Sequence, residues 1–348
     1  MKPTSAGSLA ALFALALLAH GTAQACSAFT NYERLAVMAS YDELYDAWLA
    51  DLSEKMRHDA DPEIAYAGWL LDGTTVDTVP PPPPPDDAAS VPPAPPEPIM
   101  DLPTPTTGLG RLLRRMFCAR SDRCDDSREP LVLAEPDNVF VLEYALGPDR
   151  HGTIPDLERL LAQATRYDDY FAAGRRLPAR LAAHYDLTPP PPPPGYVAPP
   201  CSRVDEGVPG LIAEKIENEI SVSRLAHDDT IGAAARLHAA DLMVAAKNTP
   251  FAAERGVWVG LAAADSVPDR ERYCRLKARV DAVSKTMMRL MPFTEDSKQL
   301  KPRFYAALDT RNAIDAAEML AREDGETPPP LDEAKIAACV SRAATDTR

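Results

Sequence analysis

Large apolar side chains recur at intervals of three and four residues over much of this chain, which is the spacing of one face of an α-helix. The clearest run has the apolar members Val37, Met38, Tyr41, Leu44, Tyr45, Trp48, Leu49, Leu52 and Met56. A second helix is predicted from Asp61-Pro62-Glu63, because aspartate is a good N-cap and proline at the first helical position loses no hydrogen bond. Gly73 is expected to end it. The pattern predicts an antiparallel helix pair, which is too small to bury a core alone.

Two proline-rich segments interrupt this helical pattern. Residues 79–108 contain the unbroken run Pro80–Pro85, and residues 188–200 contain Pro189–Pro194. Proline has no N–H and a fixed φ, so neither a helix nor a sheet passes through these segments. Successive prolines favour polyproline II, which rises about 3.1 Å per residue. The runs serve either as solvated spacers or as ligands for a domain that docks polyproline.

The prolines divide the chain into helical blocks. The predicted organisation is a signal peptide at 1–25, a helix pair at 26–78, a proline-rich insert at 79–108, a helical block at 109–187, a proline-rich linker at 188–200 and a C-terminal helical block at 201–348. We expect the helix pair and the second block to form one body, because the pair needs a partner to bury its apolar face.

The second block repeats the helical plan. A short amphipathic helix is predicted from Leu109, and another starts at Pro155. Between them, Glu135-Pro136-Asp137-Asn138 precedes a run of apolar residues, which we interpret as a cap followed by a helix. The alternative is a β-hairpin that pairs Leu131–Ala134 with Phe140–Tyr144 across the Pro-Asp-Asn turn, because its flanks are β-branched and aromatic.

The C-terminal block also has a helical period. Its predicted helices are one over Leu211–Leu225, one capped by Thr230, one capped by Thr249-Pro250, one from Pro268 to Met291, one over Phe304–Leu320 and one over Leu331–Ala343. The predicted fold class is therefore all-α. We expect antiparallel helix pairs in a solenoid-like or bundle arrangement, interrupted by two proline-rich segments that are disordered or polyproline II.

The first 25 residues have the pattern of a secretory signal peptide. Lys2 gives a positive start, Leu9 to Ala19 is apolar, and Ala23-Gln24-Ala25 is a small-x-small cleavage site. The alternative is an N-terminal anchor helix, although the apolar run is short for a membrane span. Cleavage would make Cys26 the first mature residue, which is where a bacterial lipoprotein is acylated. We therefore expect a periplasmic or secreted protein, with lipidation of Cys26 left open.

The six cysteines all lie after the predicted cleavage point, and they are Cys26, Cys118, Cys124, Cys201, Cys274 and Cys339. An even number in an exported chain indicates disulfides. Cys118 and Cys124 are close in sequence, so we predict that they pair. The sequence does not decide how Cys201, Cys274 and Cys339 pair. No CxxC occurs, which disfavours a metal site.

The net charge of −15 makes nucleic acid an unsuitable partner. The acidic surplus belongs to the first block and to the proline-rich insert that follows it. The surplus serves either as an ordinary solvated surface or as a field that steers a basic partner toward this part of the chain.

Chemical motifs are sparse, because the sequence contains no HExxH, no GxSxG and no phosphate-binding glycine loop. His227-Asp228-Asp229 has groups that bind metals or move protons, but its place before a helix favours capping by Asp229 or Thr230. Asp168-Asp169 resembles a pair of acid–base carboxylates. On a helix, however, adjacent residues diverge by roughly 100°, which favours a solvated face. No catalytic, cofactor-binding or metal-ligating residue is predicted, and no cofactor is expected.

A helix, a short polar turn and then Pro-Asp-Asn opening a second helix resembles the tetratricopeptide-type repeat, and Asp61-Pro62-Glu63-Ile64-Ala65-Tyr66-Ala67 is a looser second occurrence. More broadly, the chain is similar to helical proteins that bacteria secrete. The resemblance covers Asn31–Tyr144, lacks the Trp/Leu-Gly/Tyr framework of the family and keeps no regular 34-residue period. It implies an α-solenoid with a concave binding face and brings no catalytic residue.

Three functional hypotheses follow from the sequence. The first is a non-enzymatic interaction or scaffold protein of the bacterial cell envelope with a protein partner there, and the helical pattern without a catalytic motif favours it. The second is an envelope enzyme, such as a cell-wall hydrolase, whose active site is assembled from distant residues. The third is a spacer-type lipoprotein. We expect no transmembrane span in the mature chain.

Overall fold

The computed structural model of this protein describes residues 32–72, 103–118, 129–145, 156–194, 225–228, 230–290, 297–326 and 330–346. These residues form thirteen α-helices and no strand. The helices are α1 (Tyr32–Arg57), α2 (Pro62–Asp72), α3 (Gly108–Cys118), α4 (Glu129–Ala134), α5 (Val139–Ala145), α6 (Leu157–Gln163), α7 (Phe171–His184), α8 (Ala233–Ala245), α9 (Ala252–Ala263), α10 (Val267–Arg289), α11 (Ser297–Leu308), α12 (Ala313–Glu323) and α13 (Glu333–Asp346). The predicted all-α class is confirmed. None of the helices in these ranges is both long and apolar enough to cross a membrane.

The chain divides into two compact units. The first unit contains Met1–Pro105 and Arg176–Lys215, and the second contains Thr106–Arg175 and Ile216–Arg348. Each unit therefore contains residues from more than one of the blocks expected from the sequence. The two units are described separately below.

Helices α1 and α2 of the first unit lie where the hydrophobic pattern predicts them. The side chain of Asp61 accepts a hydrogen bond from the Glu63 N–H at 3.0 Å, so it caps α2 as expected. At the crossing, a Cβ added to Gly68 would lie 2.8 Å from the Met56 Cβ. The Ser53 hydroxyl donates to the Gly68 carbonyl at 2.8 Å. A glycine is therefore what lets the two backbones approach closely.

In the second unit, small residues set the packing of α8 on α9. A Cβ at Gly256 would lie 2.7 Å from both the Ala240 carbonyl oxygen and the Met243 Cβ, so α9 crosses α8 in close contact there. A buried apolar cluster then joins α9 to the later helices, and its larger members are Val257, Val283, Leu300, Phe304, Leu308, Ile314 and Leu320. Burial of this cluster is the hydrophobic term that holds the unit together.

The Pro-Asp-Asn segment opens a helix, and the β-hairpin alternative is wrong. Residues Leu131–Ala134 are helical as the end of α4, and α5 begins at Val139. The Asn138 side chain accepts a hydrogen bond from the Phe140 N–H at 3.2 Å, and its carbonyl accepts from the Leu142 N–H. Asparagine caps of this kind satisfy N–H groups that the first helical turn leaves without a partner.

Several predicted helix bounds are wrong. The helix expected over Phe304–Leu320 is two helices, because Asn312 caps α12 by accepting from the Asp315 N–H at 2.9 Å. Gly232, rather than Thr230, is the N-cap of α8. The N-cap of α9 is Phe251 rather than Thr249. The helix predicted over 211–225 lies outside the described residues, apart from Leu225 in a short 3-10 turn (Leu225–His227).

A disulfide joins α13 to α10 in the second unit. Cys274 of α10 and Cys339 of α13 are bonded, with Cα atoms 5.9 Å apart. Cys118 is disulfide-bonded too. Cys26, Cys124 and Cys201 lie outside the described residues, as does the predicted signal peptide. Pairing of Cys118 with Cys124 and acylation of Cys26 therefore stay predictions.

Candidate functional site

Two tyrosine hydroxyls of the helix pair bind carbonyl groups in the proline-rich segments. Tyr41 of α1 donates to the Pro190 carbonyl at 2.9 Å, and Tyr66 of α2 donates to the Pro103 carbonyl at 2.9 Å. The two tyrosines are 1% and 0% exposed. Buried tyrosine hydroxyls need an acceptor, and proline-rich chain offers carbonyls with no N–H of its own to compete for them. We call these two hydrogen bonds the proline contacts.

The rings of Tyr41, Tyr45 and Trp48 form a row along α1, which we call the aromatic row. The ring centroids of Tyr41 and Tyr45 are 6.4 Å apart, and those of Tyr45 and Trp48 are 5.3 Å apart. Spacings of four and three residues place all three on one helix face. Tyr41 and Tyr45 are buried, while Trp48 is partly exposed. Rows of contacting aromatic rings are surfaces on which proline rings pack well.

The end of α7 brings the second proline run to the helix pair. The guanidinium of Arg180 donates to the carboxylates of Asp61 and Glu63, at the start of α2. The Tyr185 hydroxyl donates to Asp59 at 2.6 Å. These contacts fix the chain at the α1–α2 turn just before it enters Pro189–Pro194. Charged and hydrogen-bonded groups thus hold the start of the proline run next to α1.

These contacts also shift the pKa values of Asp59 and Tyr185. Burial raises the pKa of Asp59, but the hydrogen bonds from the Tyr185 hydroxyl and the Asp61 N–H outweigh it, so the pKa is lowered. The same pair raises the pKa of Tyr185 to about 12, through burial and the neighbouring carboxylate. At neutral pH the carboxylate is therefore charged and the phenol is protonated, which is the combination that the hydrogen bond requires.

The described residues of the first unit carry more acidic than basic side chains. Among the side chains that the structure describes there, the acidic ones are Glu43, Asp46, Asp51, Glu54, Asp59, Asp61, Glu63 and Asp186, and the basic ones are Lys55, Arg57, Arg176 and Arg180. The proline contacts therefore lie in a unit whose field favours cations.

Asp168 and Asp169 do not lie on a helix, which corrects the helical placement expected for them. They lie in the irregular segment before α7, and each accepts a hydrogen bond from the N–H two residues later, at 2.8 Å and 3.1 Å. Asp168 is exposed, whereas Asp169 is 1% exposed and accepts a further hydrogen bond from the Thr249 hydroxyl. Burial raises the pKa of Asp169 to about 6, against the opposing effect of its two hydrogen bonds.

A buried ion pair lies beside Asp169. Arg255 of α9 donates to Glu143 of α5 at 2.6 Å and to the Tyr167 hydroxyl at 2.7 Å. The Arg255 and Glu143 side chains are 9% and 3% exposed. Desolvation lowers the pKa of Arg255, but Glu143, Tyr167 and Asp169 together outweigh it and the pKa is raised. Groups that are this buried and paired are suited to holding α5, α9 and the segment before α7 together.

The Pro-Asp-Asn turn is bound to the same segment. Glu135 accepts from Arg166 at 2.6 Å, and Asn138 exchanges two hydrogen bonds with the backbone of Asp168, both at 2.9 Å. Burial raises the pKa of Glu135, but Arg166, Tyr170 and Asn138 together outweigh it and the pKa is lowered. The turn that gave the resemblance to tetratricopeptide repeats is therefore a structural junction in this unit.

The other predicted cluster is also part of a turn. His227 ends the 3-10 turn, and Asp228 accepts hydrogen bonds from the N–H and the hydroxyl of Thr230. Asp229 lies outside the described residues. Within the described ranges, no group of three or more His, Cys, Asp or Glu side chains is placed to hold a metal ion.

Comparison with protein-family models, curated proteins and solved structures gives no match for this chain. The proline contacts themselves are therefore the observations that bear on function. Sequence reasoning assigned Tyr41 to the packing face of α1 and gave no role to Tyr66. The available signal was that a tyrosine on a buried face needs an acceptor for its hydroxyl, in a chain that carries proline runs.

Proposed function

We propose that this chain is an exported, non-enzymatic interaction protein of the bacterial cell envelope, whose first unit binds extended proline-rich chain. The observation that carries the proposal is the pair of proline contacts. Two tyrosines on different helices each donate to a carbonyl in a different proline-rich segment. The same kind of contact is made by a second helix with a second segment. This indicates that the helix pair favours the main-chain carbonyls of proline-rich chain.

The predicted signal peptide and the cysteine content support export of the chain. The same proposal includes a solenoid-like or bundle arrangement of helix pairs. The resemblance to tetratricopeptide repeats implies the solenoid. Among the described residues, the carboxyl with the most raised pKa is that of Asp169, which is buried and hydrogen-bonded, and this favours a structural role over acid–base chemistry. The cell-wall hydrolase and the spacer-type lipoprotein are the alternatives.

Affinity capture tests the proposal. The tagged mature chain is incubated in native envelope extract, and the retained proteins are identified by mass spectrometry, with an unrelated exported chain carrying the same tag as the control. A near-stoichiometric protein partner, retained by this chain and not by the control, is the expected result. Recovery of the chain alone, or with cell-wall fragments only, would contradict the proposal and direct assays to hydrolysis.

A further inference from the structure

We propose that the aromatic row, with the hydroxyl of Tyr41, forms a binding site for a proline-rich segment of a partner protein with basic flanks, and that Pro189–Pro194 occupies this site from within the chain. The inference rests on the proposed interaction function and names the chemistry of the partner. It would make the first unit a polyproline-binding module held closed by its own chain.

The donor and acceptor chemistry of the site is general for proline-rich chain. Tyr41 and Tyr66 supply hydroxyl donors from buried rings, and each bonded acceptor is a main-chain carbonyl. Such a contact uses no side chain of the bound segment. Any extended proline-rich segment presents the same carbonyls at regular intervals, so the site is not restricted to the chain's own sequence.

The exposure of the bound run varies along its length. Polyproline II has three residues per turn, so every third residue faces the same way. The partly covered residues are Leu187, Pro189, Pro190 and Pro193, and the exposed ones are Thr188, Pro191, Pro192 and Pro194. We infer that the edge with Leu187, Pro190 and Pro193 lies on the helix pair, and that the edge with Thr188, Pro191 and Pro194 stays in solvent. This is the mode in which aromatic surfaces bind polyproline II ligands.

Apolar surface continues next to the aromatic row. Leu44 is 50% exposed and lies three residues after Tyr41 and four before Trp48, so it neighbours both on α1. Trp48 is itself partly exposed. The chain's own described residues therefore leave part of this face in solvent. A longer or differently placed proline segment would cover more of it.

The negative charge beside the aromatic row favours a partner with basic flanks over a second copy of this chain. Glu43 and Asp46 are exposed on α1, on either side of Tyr45 in sequence. The chain's own runs are flanked by acidic residues, with Asp186 before Pro189–Pro194 and Asp86-Asp87 after Pro80–Pro85. Lysine or arginine flanks would be attracted where the chain's own flanks are repelled. Because the internal run is tethered, it competes at high effective concentration, and basic flanks give a partner its advantage.

Fluorescence anisotropy of a labelled proline peptide with lysines at both ends tests this inference. The proteins are the full mature chain and an opened chain, in which Pro189–Pro194 is replaced by alternating glycine and serine. We expect the opened chain to bind the peptide on the order of tenfold more tightly, because the internal competitor is removed. A peptide with aspartate ends is expected to bind more weakly than the lysine peptide.

Tyr41→Phe in the opened chain is expected to weaken binding by about three- to tenfold, which is the range for one lost neutral hydrogen bond. The matched control is Tyr273→Phe, which deletes a hydroxyl that donates to Asp241 in the second unit, and it should leave the affinity unchanged. If the opened chain does not fold, titration of the full chain with the two peptides keeps the test, because the lysine peptide should still bind more tightly than the aspartate peptide.

Three results would overturn the inference. They are an opened chain that binds no peptide, equal affinity with and without Tyr41→Phe, and self-association of the wild-type chain in light scattering that the peptide reverses. The last would make a second copy the occupant. If affinity capture retains a protein partner while the peptide fails to bind, this inference fails together with the binding of proline-rich chain by the first unit, and the exported interaction function stands.

Discussion

At the scale of single residues, several of the buried polar groups in the described part of the chain have specific partners. Asp169 shows what such burial implies for ionisation. Its carboxylate has two hydrogen-bond donors, yet burial still raises its pKa to about 6 from an ordinary value of 3.8. Relative to the protonated form, the charged carboxylate is therefore less stable in the folded protein than in the unfolded chain.

Asp169→Asn is expected to stabilise the protein at neutral pH. The native state binds the Asp169 proton more tightly than the unfolded state, so this group lowers the free energy of unfolding as pH rises from about 4 to about 6. The loss amounts to roughly 3 kcal/mol at pH 7. An asparagine accepts from the Phe171 N–H and donates to Thr249, so both hydrogen bonds have a replacement.

Urea unfolding of wild type and variant across this pH range measures the effect. Carboxyls with lowered pKa, such as Glu135 and Asp59, contribute in the opposite sense but are common to both proteins. The difference between the two curves should therefore grow from pH 4 to pH 6 and then level off. Parallel curves would contradict the buried, proton-binding state of Asp169.

At the scale of elements, the first unit depends on a close approach of two helices. Gly68→Ala should destabilise this unit by about 1–3 kcal/mol, because the added Cβ would meet the Met56 Cβ at 2.8 Å and the Ser53 carbonyl oxygen at 2.9 Å. Neither atom moves without shifting α1. Thermal unfolding followed by circular dichroism measures the loss, with the exposed Ala47→Ser on α1 as the control. Equal melting temperatures for Gly68→Ala and wild type would show that α1 and α2 leave room for the added Cβ, which contradicts the close approach.

The disulfide between Cys274 and Cys339 should hold α13 to the second unit. In α13, Ile336 is buried while most of the described side chains are at least partly exposed, and Arg275 of α10 pairs with Glu333 at 2.8 Å at the surface. Replacing both cysteines by serine is expected to remove about 2–5 kcal/mol of stability. Hydrogen exchange should become faster in α13 while α8 and α9 keep their protection. Unchanged exchange in α13 would mean that packing alone holds it.

At the scale of the whole molecule, much of the fold follows from local signals. The helical period of α1, the Asp61-Pro62 start of α2 and the Asn138 cap of α5 are readable because each depends on residues close in sequence. Signals that depend on distant residues are not readable in this way. Thr249 looked like a helix cap but donates to Asp169, which is 80 positions away.

The candidate site was missed for the same reason. Tyr41 and Pro190 are 149 positions apart, and Tyr66 and Pro103 are 37 apart, so no local pattern joins them. The break between α11 and α12 was missed because apolar residues lie on both sides of it, with Phe304 and Leu308 before it and Ile314 and Leu320 after it. Hydrophobic period reports which face of a helix is buried and is less sensitive to a short turn.

The exported form of the protein makes a prediction of its own. Intact-mass and N-terminal analysis of the chain recovered from the envelope should give a mature protein that begins at Cys26, with peptide mapping linking Cys118 to Cys124. Acylation of Cys26 would make it a lipoprotein and leave an odd number of cysteines for disulfides. A chain that still begins at Met1 would contradict export through a cleaved signal.

We propose above all that the first unit binds proline-rich chain through tyrosine hydroxyls. The affinity of the lysine-flanked proline peptide for the opened chain, with and without Tyr41→Phe, tests this proposal. We expect measurable binding that falls by about three- to tenfold in the variant. No binding, or the same affinity in both proteins, would contradict it.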